Sequence, residues 1–557
     1  VAELAEQLEL IGARDTQHNE WRVFGPPGTG KTTHLGRQIR RAVERYGPES
    51  VLVTSFSRAA ATELVGRDLP IGRERIGTLH AHCYRALNKP HIAETKVEDW
   101  NSNYPHWEIR ESRQNQIDES ADERGGGAGD GDQLLAIANR WRNRLLPVNL
   151  WPDLEARSFY EKWCEWKDAN DLLDFTDLID RASAECRIAP GDPKVIFADE
   201  AQDFTRLQLT LVRKWGKSAE YFLCVGDDDQ TIYTFTGATP DAFLRPDVPA
   251  DQKIILSQSY RVPQAVHALA TGWISRVEHR EPKEYQPTSA LGIVKNVPYT
   301  WTDPNRLIGG AVKEVEAGRT VMFLAACAYM LVPVRTALME RAIPFHNPYR
   351  LRRADWNPLR SGNGLSASDR VLAFAKPHNA MGANARPWNA ADYRRWAEWL
   401  VAAATFNRGG KSAAKNLHDE LPVTMDDLHR WLTPGAYDSL MNGIMNGTLP
   451  EHLGWWFDRV EQTHQRTAAY PTKIAIRHGL QALAERPRII LGTIHSVKGG
   501  EADTVILFPD LSMAGFAQWD QGGDGYDAVV RQFYVAMTRA RQKLIICAAA
   551  GGQGVDL

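Results

Sequence analysis

The sequence predicts an α/β protein with two parallel sheets, each flanked by helices and each interrupted by a mainly helical insertion. Three observations carry this. Short apolar runs bounded by turn residues recur in two separate blocks, helical patterns lie between many of them, and polar, Trp-rich stretches break both blocks.

The first block holds "WRVF", "VLVTSF", "KVIFADE" and "YFLCVGD", and the second holds "TVMFLAA", "RIILGTI", "TVILFPD" and "KLIICAAA". Apolar runs without alternation suit strands buried on both faces, as in parallel sheets. "THLGRQIRRAVERYG" reads as a helix stopped by Gly47-Pro48. The first interruption contains "ERGGGAGDGDQ", which reads as a mobile surface loop. The second has "SGNGLSASD" near its start and two Trp-bearing stretches, "YRRWAEWL" and "LGWWFDRV". Those tryptophans are expected in a core rather than against a duplex, because Trp is usually well buried. No repeat of fixed period is visible.

A chain of 557 residues exceeds what one core can hold, so several domains are expected. Hydrophobic residues at 43% and charged residues at 24% are ordinary for a globular chain. A net charge of -3 gives no global sign of a polyanion partner, although a local basic groove is enough for one. Arginine outnumbers lysine, which is read as genome composition. The six cysteines are scattered without a C-x-x-C pair, which argues against a zinc or iron–sulfur site and a disulfide framework. No apolar run approaches the roughly 18 residues needed to cross a bilayer, and "VAELAEQLEL" lacks the features of a signal peptide. A cytoplasmic location is expected. The start at Val1 rather than Met leaves room for missing upstream sequence, and the short tail after "TRARQKL" leaves none here for an appended nuclease.

"GPPGTGKT" (residues 25–32) follows a strand-like run and opens a helical pattern, the context of a phosphate-binding loop. Gly25, Gly28, Thr29 and Gly30 let backbone amides approach phosphates, and the helix N-terminus adds partial positive charge. Lys31 would reach the β- and γ-phosphates, and the Thr32 hydroxyl would ligate Mg²⁺. "VIFADEAQDFT" then supplies carboxylates at a strand end: Asp199 for Mg²⁺, and Glu200 to orient and deprotonate the attacking water. "VGDDDQTIYTFTGA" sets three aspartates, Asp227 to Asp229, beside Gln230, with Tyr233 and Phe235 just beyond. Mg²⁺ and Gln230 are expected to be what this acid run faces.

These motifs, with "LSQSYR", "GTIHSVKGGEAD" and "YVAMTRARQKL", occur in the order found in superfamily 1 DNA helicases of the UvrD/Rep/PcrA type. "VLVTSFSRAAATEL", "IGTLHAHCYRAL" and "LLDFTDLI" resemble further motifs of that family. The resemblance implies two RecA-like P-loop motor domains, with ATP in the cleft between them and single-stranded DNA across their top. Residues 1–88 and 166–258 would form domain 1A, 89–165 insertion 1B, 259–350 and 482–557 domain 2A, and 351–481 a short insertion 2B. It implies that Gln230 contacts the γ-phosphate, Tyr260 stacks on adenine, and Arg261 and Arg539 are arginine fingers. It further implies that Glu501 binds ribose, that Gln17 reads the adenine edge, and that Thr33 follows the phosphate loop where arginine is usual. For DNA it implies Thr54, Phe56, Arg58, His80, Tyr233, Phe235 and His495, rings stacking on bases while hydroxyls and cations hold phosphates. Phe235-Thr236 stands where the family usually has Trp-Arg, which predicts a looser grip on DNA.

The expected function is ATP-dependent 3′→5′ translocation on single-stranded DNA with duplex unwinding, acting at single-strand/duplex junctions with Mg²⁺ as cofactor, as a monomer or weak dimer and with no membrane. The polarity follows from the family branch, and any loading partner is unspecified. One alternative is a translocase that displaces bound proteins with little unwinding. Another is a nucleotide-switched DNA-binding protein without efficient turnover.

Overall fold

The computed structural model describes residues 19–110, 130–350, 355–360 and 364–557. Among the described residues twelve strands form two sheets, every neighbouring pair parallel. The first is ordered β3-β2-β4-β5-β1-β6, from β1 (Glu20–Phe24), β2 (Val51–Ser55), β3 (Ile76–Thr78), β4 (Val195–Asp199), β5 (Tyr221–Gly226) and β6 (Lys253–Ile255). The second is ordered β7-β12-β11-β8-β10-β9, from β7 (Ile293–Val297), β8 (Val321–Ala325), β9 (Phe345–His346), β10 (Ile489–Thr493), β11 (Ala502–Leu507) and β12 (Ala540–Cys547). The eight apolar runs became the eight interior strands.

Alternation explains why those runs are unbroken. On β4, Val195 and Phe197 enter the core on one face while Ile196 and Ala198 enter the core on the other. β8 does the same, with Val321 and Phe323 on one side and Met322 and Leu324 on the other. Each sheet is therefore a buried layer between helices.

Five helices matter below: α1 (Lys31–Tyr46), α2 (Asp130–Asn143), α3 (Phe175–Glu185), α4 (Arg206–Gly216) and α5 (Gly523–Met537). α1 ends at Gly47, whose φ of 82° suits the left-handed side of the map, so the Gly-Pro stop acts as expected. Only the end of the glycine-rich stretch, residues 130–133, falls in the described part, and there a helix replaces the expected loop. Residues 111–129 lie outside the described part, but Asp130 to Gln133 already begin α2, and Gly131 is buried so tightly that a Cβ would lie 2.2 Å from the Trp107 carbonyl oxygen.

Both insertions are helical. The first packs its own small core of Trp100, Phe159, Trp163 and Trp166. It is tied to the first sheet domain by a charged knot at the capping box of α3. Arg142 donates to Asp174 at 2.8 Å, Lys167 Nζ lies 2.6 Å from Asp174, and both cations also reach Asp177. Burial would raise the Asp174 carboxyl, but Arg142 and Lys167 hold it far below its usual range. The second insertion shares one continuous apolar core with β8 and β10, in which Trp388, Trp396 and Trp456 are buried. Among the described residues, no helix is long and apolar enough to cross a membrane.

Candidate functional site

The phosphate loop leaves β1, and Gly25 N donates to Gly226 O at 3.0 Å, which anchors the loop to the end of β5. Thr29 Oγ1 donates to Pro26 O at 2.8 Å and closes the turn from inside. Gly28 and Gly30 have φ of 78° and 80°. At Gly28 the reason for glycine is also steric: a Cβ would lie 2.6 Å from Arg261 Cβ and 2.8 Å from Ser259 Oγ. The loop is thus bonded to the second half of the chain. Tyr260 N donates to Gly28 O at 2.9 Å, and Ser259 Oγ and Tyr285 OH donate to Pro27 O at 3.0 and 2.9 Å.

Cations converge on this cleft from both sides. Lys31 opens α1 and donates to the Gly25 carbonyl, and burial lowers its pKa. Arg261 Nη1 lies 3.7 Å from Glu501, while its Nε is buried with no hydrogen-bond partner. Arg539 donates to Val535 O at 2.9 Å and to Gly500 O at 3.3 Å, and its pKa falls to about 9 through burial and then the nearby Arg261. Lys31 and Arg539 rest largely on carbonyls and Arg261 keeps an orphaned N–H, so the three cations form a site that fits a polyphosphate. Thr32 is half-buried beside Lys31, and Asp199 ends β4 at 3% exposure. Among the described residues no cluster of His, Cys, Asp or Glu forms a metal cage. A hydroxyl and one carboxylate suit Mg²⁺ arriving with phosphates and keeping several waters.

Glu200 sits at φ 51°, a left-handed conformation that costs a non-glycine residue energy and is found at functional sites. Its carboxylate accepts from Gln202 Nε2 at 2.5 Å. Burial alone would raise its pKa, but Lys498 and Lys31 outweigh it, so the group stays ionised and able to accept a proton bond. Gln230 is held at both ends: its Nε2 donates to Asp227 at 2.7 Å, and its Oε1 accepts from Arg539 Nη2 at 3.1 Å. Lys498, quoted above inside a motif without a role, joins the halves by donating to Gln230 O at 2.7 Å and pairing with Asp203. Burial lifts the Asp203 carboxyl to about 7 even against Lys498.

The acid run faces something other than Mg²⁺. Asp227, Asp228 and Asp229 are all buried, and all three engage Lys283, with distances of 2.9 Å to Asp227 and to Asp229. Arg280 adds a fork to Asp229 at 2.8 and 2.5 Å. These cations lie in "HREPKEY", a polar segment with no pattern to mark it.

The aromatic candidates form a row. Ring centroids are 4.9 Å apart for Phe56–Tyr233, 5.9 Å for Tyr233–Phe235 and 5.5 Å for Phe235–His495. Tyr233 OH donates to His495 O at 3.3 Å, and Lys498 Nζ lies 5.3 Å from the Tyr233 ring. His80 stands apart, 6.5 Å from Phe175, and burial followed by Arg58 pushes its pKa down to about 4, so it offers a neutral ring. Arg58 is exposed. Thr54 lies inside β2 at 1% exposure, below the surface rather than on it, because both faces of that strand are covered. Thr33 is exposed and accepts from Arg67 at 3.4 Å, Tyr260 is 74% exposed, and Glu501 pairs with Arg541 at 3.2 Å. Gln17 lies outside the described residues.

Two RecA-like sheets, a phosphate loop and cations facing it across the cleft define a two-domain P-loop protein. The UvrD/REP helicase N-terminal domain family matches residues 9–249, and the UvrD-like helicase C-terminal domain family matches residues 467–551. The chain belongs to the UvrD/Rep-type superfamily 1 helicases. It is 27% identical over 338 residues to "ATP-dependent DNA helicase UvrD1" of Mycobacterium tuberculosis H37Rv, covering 54% of this chain and 43% of that protein. It is 23% identical over 378 residues to "DNA helicase II" of Escherichia coli K12, covering 59% and 49%, and 25% identical over 292 residues to "Putative ATP-dependent DNA helicase YjcD" of Bacillus subtilis 168, covering 47% and 37%. The chain spans about half the length of the curated relatives it matches.

Proposed function

We propose that this chain is an ATP-driven motor that moves 3′→5′ along single-stranded DNA and opens duplex ahead of it. One observation carries the reading: Gln230, which Arg539 holds across the cleft, lies three residues from Tyr233 in the aromatic row. Closing the cleft around a nucleotide would pull on the same short segment whose rings stack on bases. In this reading residues 1–88 and 166–258 are one motor domain and 259–350 with 482–557 the other, carrying insertions 89–165 and 351–481.

Lys31 and the loop amides hold the phosphates, and Thr32 and Asp199 hold Mg²⁺, which supplies charge neutralisation when bound. Glu200 orients the attacking water and accepts its proton, and Arg261 and Arg539 stabilise the charge that develops on the γ-phosphate. Tyr260, Glu501 and Gln17 take the nucleoside end. Phe56, Tyr233, Phe235 and His495 take bases, with Arg58 and His80 beside them. The test is unwinding of duplexes carrying a 3′ or a 5′ tail. Activity confined to the 3′-tailed substrate is expected, and activity confined to the 5′-tailed one overturns the polarity.

Tyr233→Ala is expected to weaken the stimulation of ATP hydrolysis by oligo-dT far more than hydrolysis without DNA, with a loss of about 1–3 kcal/mol in single-strand affinity. Equal loss of both rates would assign the ring to packing. Burial of the tryptophans in the second insertion favours a second reading, translocation that displaces proteins with little unwinding. Displacement of streptavidin from a biotinylated strand without strand separation would select it.

A further inference from the structure

Beside the aromatic row, a cavity of about 470 Å³ opens between the two sheet domains and the first insertion. Its wall carries Phe235 and His495 together with four arginines, Arg140, Arg144, Arg206 and Arg531. Arg140 lies in the last turn of α2 and Arg144 just past its end, where Arg144 N still donates to Arg140 O at 3.1 Å, so the two stand one turn apart. Their setting is firmly built. Arg142, between them, is clamped to Asp174 at 2.9 and 2.8 Å, and Asn143 Nδ2 donates to Thr236 O at 3.0 Å. Gly237 takes φ 101°, and a Cβ there would lie 2.8 Å from Asn143 Cβ, so α2 rests directly on the turn that presents Phe235.

Among the described residues no carboxylate pairs with either of these two cations. The Nε of each is buried without a hydrogen-bond partner. Of the carboxylates on the cavity, Asp527 is 3.8 Å from Arg531, and neither Asp241 nor Asp524 pairs with Arg140 or Arg144 among the described residues. Arg144 lies 5.7 Å from the Trp141 ring. Burial, and then the charge of Arg144, lowers the pKa of Arg140. Like charges four residues apart disfavour a helix, and a buried donor without an acceptor is costly. An anion between the two guanidiniums relieves both, and a ring beside a phosphate-binding cation is how single strands are gripped without regard to sequence.

We propose that Arg140 and Arg144 form a phosphate-binding site of the first insertion, holding the backbone of the nucleotide whose base lies against Phe235 and His495. The proposal rests on the reading of the chain as a single-strand DNA motor. It supplies from α2 a cation that Thr236 does not, so the insertion takes part in gripping the track as well as shaping the fold.

The experiment is fluorescence anisotropy with labelled oligo-dT across a salt series, with thermal melting alongside. For the double variant Arg140→Gln/Arg144→Gln, the slope of log affinity against log salt is expected to be shallower by about 0.7–1.4, one to two phosphate contacts on a single strand. The double variant Arg140→Lys/Arg144→Lys should keep most of the wild-type slope. Lys162→Gln, an exposed cation of the same insertion, should keep all of it. A wild-type slope in the glutamine variant overturns the proposal, and so does a slope equally shallow in the lysine variant, which would mark a structural effect. If the glutamine pair melts early, Arg144→Gln alone is read by the same slope. Wild-type protein that fails to bind oligo-dT at any salt overturns the motor reading itself, a different result from a bound strand with an unchanged slope.

Discussion

Lys31→Ala is expected to lower ATP turnover by at least about 10²–10³-fold, the scale for removing one preorganised donor aimed at developing charge. The side chain opens α1, where the helix N-terminus and the glycine-rich turn leave it as the one charged group of the loop itself. It is half-buried, and desolvation already lowers its pKa against the pull of Glu200 and Asp227. Its ammonium rests on a single loop carbonyl, that of Gly25, a contact it can exchange for phosphate oxygens without rearranging the fold. Alanine removes that charge from the loop, and Arg261 and Arg539, which stand on the opposite wall and repel the ammonium, cannot take its place. The aromatic row lies on a different segment, so affinity for oligo-dT is expected to stay within severalfold of wild type. Steady-state phosphate release with and without oligo-dT measures the first effect, and anisotropy measures the second. Turnover at the wild-type rate would remove Lys31 from the phosphate site.

The parts of this structure that could be read from the sequence are those whose physics is local. All eight interior strands are apolar runs because both their faces are covered. The four strands missed, β3, β6, β7 and β9, are the four sheet edges. Three of them are only two or three residues long, and β7 is five residues of which three are exposed, so none carries the signature of a buried strand. The phosphate loop was legible for the same reason: glycines, lysine and hydroxyl must follow one another to wrap one phosphate. Partners brought in from far along the chain were not. Lys498 meets Asp203 and Gln230 from 295 and 268 residues away, and Asn143 meets Thr236 from 93. No spacing in the chain marks such pairs. Thr54 shows the converse, since a motif hydroxyl that looked available is enclosed by the strand that carries it.

Lys283→Met is expected to destabilise the fold by about 3–5 kcal/mol, the cost of breaking a buried ion pair from one side. Lys283 and the three aspartates are each no more than 1% exposed in their side chains, so water cannot take over for the lost ammonium. Arg280 reaches Asp229 but leaves Asp227 and Asp228 without a cation. The pH dependence carries the sign of the argument. Burial pushes Asp228 up to about 6 even with Lys283 beside it, so the folded state binds an extra proton between the ordinary aspartate range and pH 6. That stabilising share is present at low pH and is lost as pH rises through 6. Asp229 runs the other way: burial would raise it, but Lys283 and Arg280 hold it at about 2, and its share is lost as pH falls below the ordinary range. Without the ammonium, Asp228 and Asp229 lose the charge that holds them down and take up protons on folding. The deficit of Lys283→Met in urea unfolding is therefore expected to be largest near pH 8 and to shrink by pH 5.5, and a deficit independent of pH would mean that Met fails through shape rather than charge. The same lysine holds one oxygen of Asp227 while Gln230 Nε2 is bound to the other. A charge buried at the joint of the two halves thus fixes Gln230, the glutamine proposed to contact the nucleotide, and the loss of DNA-stimulated hydrolysis in this variant should exceed what its unfolded fraction explains.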